Sequence, residues 1–170
     1  MIFGKTKDFA IECVVNARSK DARYTFGHIL LWIAREELGQ SDLRVVLEVP
    51  VFNFERSLDE CGTRKMDLFS EMNAMETHHF LESVLWGKPE ETKSTADIMK
   101  EDKQYSRFNI CINFSESFDG ESLYLIEEPS NERYIWKKFG SEKISEARLE
   151  SGTYKKVINS FLSWFESESS

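Results

Sequence analysis

Hydrophobic and polar residues alternate along the second half of the chain, and this alternation predicts short β-strands. Every second residue between Phe108 and Phe114 is apolar, which places the apolar set on one face of a pleated strand. Similar runs follow, separated by residues that favour tight turns. Short turns between consecutive strands predict an antiparallel meander. Its predicted elements are strands at 108–114, 123–126 and from Tyr134, with turns at Asp119-Gly120 and 129–131.

The first half of the chain predicts a hairpin. The segments 9–15 and 25–33 are rich in β-branched and aromatic residues, and the polar segment 16–24 connects them. The segment 43–49 is a further candidate strand. Pro50 interrupts it, because a central strand does not readily accommodate proline.

Apolar residues at helical spacing predict about three helices. Pro50 suits the first turn of one of them. Asn73 is a predicted N-cap of the next, since Glu76 follows three residues on, as in a capping box. The polar segment 90–104 is either a loop or a short helix in solvent. The predicted helices lie at 50–61, from Asn73 to Gly87, and at 154–165.

Together these elements predict an α+β fold. A mainly antiparallel, twisted sheet, built from the N-terminal hairpin and the C-terminal meander, would pack against about three helices. The pattern is compatible with one shared sheet or with two. The length of 170 residues suits a single domain over 1–170, with a frayed tail at 166–170.

Charge and cysteine content narrow the class of partner. The net charge of −8 disfavours nucleic acids and anionic membranes, which bind basic surfaces. It is compatible with steering toward a basic protein, or with solubility alone. No apolar run approaches the roughly 18 residues of a membrane-spanning helix, and the N-terminus lacks a signal-peptide pattern. Three widely spaced cysteines predict reduced thiols in a cytoplasmic protein.

No combination of residues predicts catalysis, a cofactor or a metal ion. The sequence has no glycine-rich phosphate loop, nucleophile elbow or CxxC pair. His78 and Glu82 have the helical spacing of metal ligands. We predict instead that one histidine of the pair His78-His79 packs at the edge of the core and the other lies in solvent. His28, in a predicted strand, is interpreted as a satisfied, partly buried histidine.

The segment 115–121 places three acids around one aromatic residue at a predicted hairpin tip. An aromatic anchor with an acidic rim is a surface that a basic protein partner could bind. The alternative is an ordinary solvated turn with Phe118 tucked under the sheet.

Four stretches of the sequence occur in a defined order and spacing: IFGKTKDFAIEC at 2–13, FGHILLWIAREELG at 26–39, RFNICINFSESFDGESLYLIEE at 107–128 and RYIWK at 133–137. Together they resemble a bacterial immunity-protein family, the one numbered forty-two in the polymorphic-toxin immunity series. The family often has a small residue, commonly Gly, where this chain has Ala34 and Arg35. The turn before Glu36 is therefore expected to differ from the family pattern.

The resemblance implies a non-enzymatic cytoplasmic protein that binds a cognate toxin domain and holds it inactive. The family offers no catalytic residue to carry over, and we expect no metal ion or cofactor. The acidic and aromatic residues at one end of the predicted sheet are the candidates for contact with a basic toxin surface. These expected partner-binding residues are Glu36, Glu37, Glu116, Phe118, Asp119 and Glu121.

Two other classes of function stay open at this point. A small acidic α+β domain could be a secretion chaperone or adaptor, which would be needed for export or stability of a toxin rather than for survival. An enzyme built on unpatterned residues such as His28 and Glu12 is the third hypothesis. A deep pocket lined by a histidine with a shifted pKa would favour it.

Overall fold

The computed structural model describes residues 1–20, 23–87, 94–111 and 115–169. Within them the chain forms two antiparallel sheets and four α-helices. The predicted α+β class is confirmed, with four helices in place of about three. The N-terminal and C-terminal strand groups form separate sheets.

The first sheet is built on the predicted hairpin, which is confirmed. Its strands are β1 (Ile2–Gly4), β2 (Phe9–Arg18), β3 (Thr25–Ile33), β4 (Glu36–Leu38) and β5 (Val45–Val46). The order is β1-β2-β3-β4, and β5 also pairs with β3. β2 continues past its predicted end through a register shift between Val15 and Ala17. The connector after it is therefore shorter than predicted, and its residues 21 and 22 lie outside the described residues.

The second sheet is a meander, as predicted, but its third strand comes from a different segment. Its strands are β6 (Ser122–Glu127), β7 (Asn131–Lys137) and β8 (Ile144–Glu150), in that order. Charged residues interrupt the apolar positions of β8, and only one of its residues is buried. An edge strand of this kind gives little alternation for a sequence pattern to detect.

The predicted strand at 108–114 is wrong for the part that the structure describes. Ser106–Phe108 is a 3-10 helix, and Asn109 forms one isolated bridge to Tyr124. Phe108 and Ile110 are both buried, but they enter two different hydrophobic clusters. The alternation thus reflects burial on two sides and not one face of a strand. Residues 112–114 lie outside the described residues.

Four helices lie in the described part of the chain: α1 (Glu48–Asp59), α2 (Ala74–Trp86), α3 (Thr95–Tyr105) and α4 (Thr153–Ser169). Pro50 lies in the first turn of α1, as predicted. The helix begins at Glu48, so it includes the last two residues of the candidate strand 43–49. The predicted capping box of α2 is confirmed. The Glu76 amide donates to Asn73 Oδ1 at 3.0 Å, and the Asn73 amide donates to Glu76 Oε2 at 2.9 Å.

Helices α3 and α4 resolve two further expectations. The polar segment 90–104 was expected to be either a loop or a short helix in solvent. Its described part forms α3, a helix with no buried residue. Residues 90–93 lie outside the described residues. α4 continues to Ser169 and so includes most of the tail that was predicted to fray.

The second sheet is buried on both faces, and this layering organises the two hydrophobic clusters. One face packs with the inner face of the first sheet and with α4, through residues such as Leu123, Leu125 and Trp136. The opposite face packs against α2, through residues such as Tyr124 and Ile135. Burial on both faces explains why β6 and β7 are almost wholly buried.

A buried carboxylate connects α4 to the second sheet. Glu132, on β7, is 4% exposed. Its oxygens accept hydrogen bonds from the Gly152 amide at 2.8 Å, the Tyr154 amide at 2.9 Å and the Tyr134 hydroxyl at 2.8 Å. The first amides of a helix have no partner within it. Glu132 therefore caps the start of α4 from another element and fixes where the helix begins.

We expect Glu132→Gln to lower the free energy of unfolding by about 1–3 kcal/mol, the usual cost of mismatched buried hydrogen bonds. The amide nitrogen would face a donor where the carboxylate now accepts. Urea denaturation followed by tryptophan fluorescence measures the change. Glu150→Gln, at an exposed position on β8, is the matched control. Equal midpoints for the two variants would contradict the capping role.

Candidate functional site

A groove of about 1040 Å³ opens where β6 begins and β7 ends. The end of α2, the segment 115–122 and the loop that follows β7 line it. We call it the acidic groove, because its described lining contains five carboxylates against two lysines, Lys137 and Lys138. The carboxylates belong to Glu82, Glu116, Asp119, Glu121 and Glu142.

Backbone hydrogen bonds bring the two acidic segments singled out in the sequence together. The Gln40 amide donates to the Ser117 carbonyl at 2.9 Å. The Gly39 amide donates to Glu121 Oε2 at 2.7 Å. The end of β4 therefore lies against the segment 115–121, although about 80 residues separate them along the chain. Glu116, Asp119 and Glu121 line the groove itself.

Glu36 and Glu37 lie beside the groove but on opposite faces of the first sheet, since successive residues of a strand alternate. Glu36 accepts hydrogen bonds from Trp136 Nε1 at 3.0 Å and from Lys143 Nζ at 3.2 Å. Glu37 lies opposite Trp32 in the register of β3 and β4. The structure thus brings Glu36 to the second sheet and turns Glu37 away from it.

Phe118 is 4% exposed and packs in the core. This agrees with the alternative interpretation of the segment 115–121, in which Phe118 lies under the sheet. It packs against Gly39, where an added Cβ would lie 3.0 Å from the Phe118 ring. The exposed aromatic residues of the groove are Phe139 and Trp86, 72% and 60% exposed. The sequence analysis did not single out Phe139 as a groove residue, because the pattern places it at the end of a strand. An aromatic residue between Lys138 and Gly140 in a turn was the available signal.

The two carboxylates that join the segments have pKa shifts of opposite sign. Burial raises the pKa of Glu121, and the hydrogen bonds it accepts from the Gly39 and Phe139 amides only partly offset this. Burial alone would also raise the pKa of Glu36. The hydrogen bonds from Trp136 and Lys143, with the nearby lysine charges, outweigh it and lower the pKa of Glu36.

The floor of the groove contains a buried histidine–serine pair. His78, 3% exposed, has its Nε2 2.7 Å from Ser122 Oγ, and burial lowers the pKa of His78. Glu82 Oε1 lies 3.9 Å from the same nitrogen and accepts a hydrogen bond from the Tyr124 hydroxyl at 2.6 Å. In a Ser-His-acid triad the acid bonds the second ring nitrogen. Here His78 Nδ1 has no hydrogen-bond partner among the described residues.

The remaining candidate chemical groups have structural partners. His28 Nδ1 donates to the Leu43 carbonyl at 3.0 Å, and Glu12 accepts from Trp32 Nε1 at 2.8 Å. Burial raises the pKa of the Cys13 thiol to about 12, which disfavours a thiolate nucleophile. His79 is exposed, as predicted for one member of the histidine pair. In the ranges that the structure describes, no three His, Cys, Asp or Glu side chains are placed to hold a metal ion.

None of the helices in the described ranges combines the length and the apolar character needed to cross a membrane. The architecture is shared with a solved structure, the crystal structure of CdiI from Burkholderia dolosa AUO158. The two chains have 16% sequence identity and a TM-score of 0.73, over 96% of this chain and 99% of that chain. The fold is therefore that of CdiI. No curated protein sequence matches the chain.

The sequence model of the Imm42 family, described as immunity protein 42, matches residues 1–164. The chain therefore belongs to the immunity protein 42 family, and the resemblance carried by the four sequence stretches is confirmed. The match includes every described residue that lines the acidic groove.

We expect Glu121→Gln to become more stable relative to the wild type as pH rises from about 4 to 7. A raised pKa means that ionisation of Glu121 costs folding stability above its unfolded-state pKa, and glutamine does not ionise. Urea denaturation at several pH values measures the difference. Glu116→Gln, at an exposed position of the same segment, is the control. A difference that does not vary with pH would contradict the assignment.

Proposed function

We propose that this protein binds a cognate toxin domain in the cytoplasm and neutralises it without catalysis. Membership of the immunity protein 42 family is the observation that carries the proposal. The fold shared with CdiI supports it. The site chemistry is compatible with it, because the described His78–Ser122 pair lacks the acid that a catalytic triad would place on the second ring nitrogen.

The acidic end of the molecule is the proposed contact surface. Glu116 and Asp119 are exposed at the mouth of the acidic groove, and Glu121 is partly buried in its lining. Glu36 is partly buried beside the groove, and Glu37, on the opposite face of β4, lies at the margin of the proposed surface. Charge complementarity toward a basic toxin surface accelerates association. Desolvated aromatic contacts slow dissociation. Both properties suit a protein that must inhibit a toxin before it acts.

The test is a survival assay with the toxin domain encoded beside this gene. The domain is expressed in a sensitive host with and without this protein, and an unrelated toxin domain is the specificity control. We expect survival and copurification only with the cognate domain. Neither survival nor a complex, with both proteins folded, would contradict the proposal. A secretion chaperone would instead change the export or the amount of the toxin without protecting the cell.

Neutralising the exposed acids of the groove should slow association. We expect the double variant Glu116→Gln, Asp119→Asn to associate about threefold to tenfold more slowly at low salt, with a weaker dependence on ionic strength. Surface plasmon resonance with the toxin domain measures both quantities. The control is Glu166→Gln, Glu168→Gln, which removes the same charge at exposed positions near the end of α4. Equal kinetics for the two double variants would remove the groove acids from the interface.

The buried His78–Ser122 pair is an observation that favours the enzyme hypothesis. One variant distinguishes an enzyme from a non-enzymatic inhibitor. A nucleophilic mechanism would need Ser122 Oγ. We expect Ser122→Ala to protect cells as well as the wild type when equal amounts of folded protein are present. A variant that still binds the toxin but no longer protects cells would contradict the non-enzymatic proposal.

A further inference from the structure

Phe139 is the most exposed of the large apolar side chains in the described ranges, yet its position is constrained. A Cβ added to Gly120 would lie 2.4 Å from Phe139 Cδ2, so one part of the ring rests directly on the glycine. The Phe139 amide also lies near the Glu121 carboxylate. The loop is also closed by the hydrogen bond from the Ser141 amide to the Lys138 carbonyl at 3.1 Å. These contacts therefore set the position of the exposed ring before any partner binds.

Trp86 lines the same groove and is also held in place. Its indole lies near the Tyr124 hydroxyl, which donates to Glu82 Oε1 at 2.6 Å, one turn before Trp86 on α2. Single exposed apolar residues are ordinary on a protein surface. Here two exposed aromatic side chains line one groove together with five carboxylates. Fixed aromatic residues lose little conformational entropy on binding, which favours them as interface anchors.

The charges of the groove indicate what it can accept. Its carboxylates outnumber its lysines, and Lys137 is paired with Glu142 at 3.8 Å. A cationic side chain would meet both the carboxylates and the electron-rich faces of the aromatic rings. An independent polar feature lies at the groove floor: His78 Nδ1, without a hydrogen-bond partner among the described residues, on a side chain that is almost fully buried.

We infer that Phe139 and Trp86 are the aromatic anchors of the toxin interface, and that the acidic groove receives an arginine- or lysine-bearing loop of the toxin domain. The inference rests on the proposed function and specifies its site. Phe139 takes the anchoring role that the sequence pattern assigned to Phe118, which is buried in the core.

The test measures dissociation of the toxin domain from single variants. Phe139→Ala and Trp86→Ala should each dissociate at least about tenfold faster than the wild type. Tyr24→Ala is the matched control, because Tyr24 is an aromatic residue with 52% exposure that does not line the groove, and it should change the rate less than about threefold. Urea midpoints for all variants show whether they remain folded.

Two further variants test the geometry and the charge of the occupant. Gly120→Ala retains Phe139 but places a Cβ against its ring and strains the backbone at Gly120, where φ is +79°, so the complex should also dissociate faster. Glu116→Lys places a positive charge at the groove mouth and should weaken binding by about tenfold or more.

The outcomes separate this inference from the proposed function. If the wild type binds and neutralises the toxin but Phe139→Ala and Trp86→Ala behave like Tyr24→Ala, the anchors are wrong and the function stands. If Glu116→Lys binds as well as the wild type or better, the cationic occupant is wrong. If the wild type itself does not bind the cognate toxin domain, the proposed function and this inference both fail.

Discussion

The buried carboxylate of Glu132 holds together the two parts of the fold. It lies on β7 in the second sheet and accepts hydrogen bonds from the amides of Gly152 and Tyr154 at the start of α4, whose apolar face packs on the first sheet. Arg64, also almost fully buried, adds a second such connection, because its guanidinium donates to the carbonyls of Ser57 and Arg107 at 2.7 Å each. Buried charges are costly unless they are fully hydrogen-bonded. Because these partners come from several elements, they specify how α1, α4 and the second sheet pack together.

That framework supports the acidic groove at one end of the molecule. The groove is assembled from the end of α2, the segment 115–122 and the loop after β7, each attached to a buried element. Glu121, just before β6, joins two of the surrounding segments, since it accepts a hydrogen bond from the Gly39 amide at 2.7 Å. The residue before it, Gly120, contacts the exposed ring of Phe139. The acids differ in environment: Glu132 is enclosed, whereas Glu116 and Asp119 face solvent.

Local signals in the sequence predicted the elements that depend on neighbouring residues. The capping box of Asn73 and Glu76, the bounds of β3 and the apolar stripe of α4 all follow from spacing within one element. The structure of the segment 108–111 does not follow from local spacing. Phe108 and Ile110 are buried in two different clusters, which form only when the second sheet packs against its neighbours. The same limit explains why the sequence pattern did not show that Phe118 is buried and Phe139 exposed. Phe118 contacts Gly39 and Phe139 contacts Gly120, and both contacts join residues that are distant along the chain. A local pattern therefore does not show which of the two aromatic residues is buried.

Hydrogen–deuterium exchange on the complex with the cognate toxin domain is the most direct test of the central claim that this protein inhibits by binding through its acidic groove. We expect new protection in the segment 115–121 and in the loop 138–143, with little change in α3 or on the outer face of the first sheet. Protection confined to α3 or to that outer face, with 115–121 and 138–143 unchanged, would contradict the account.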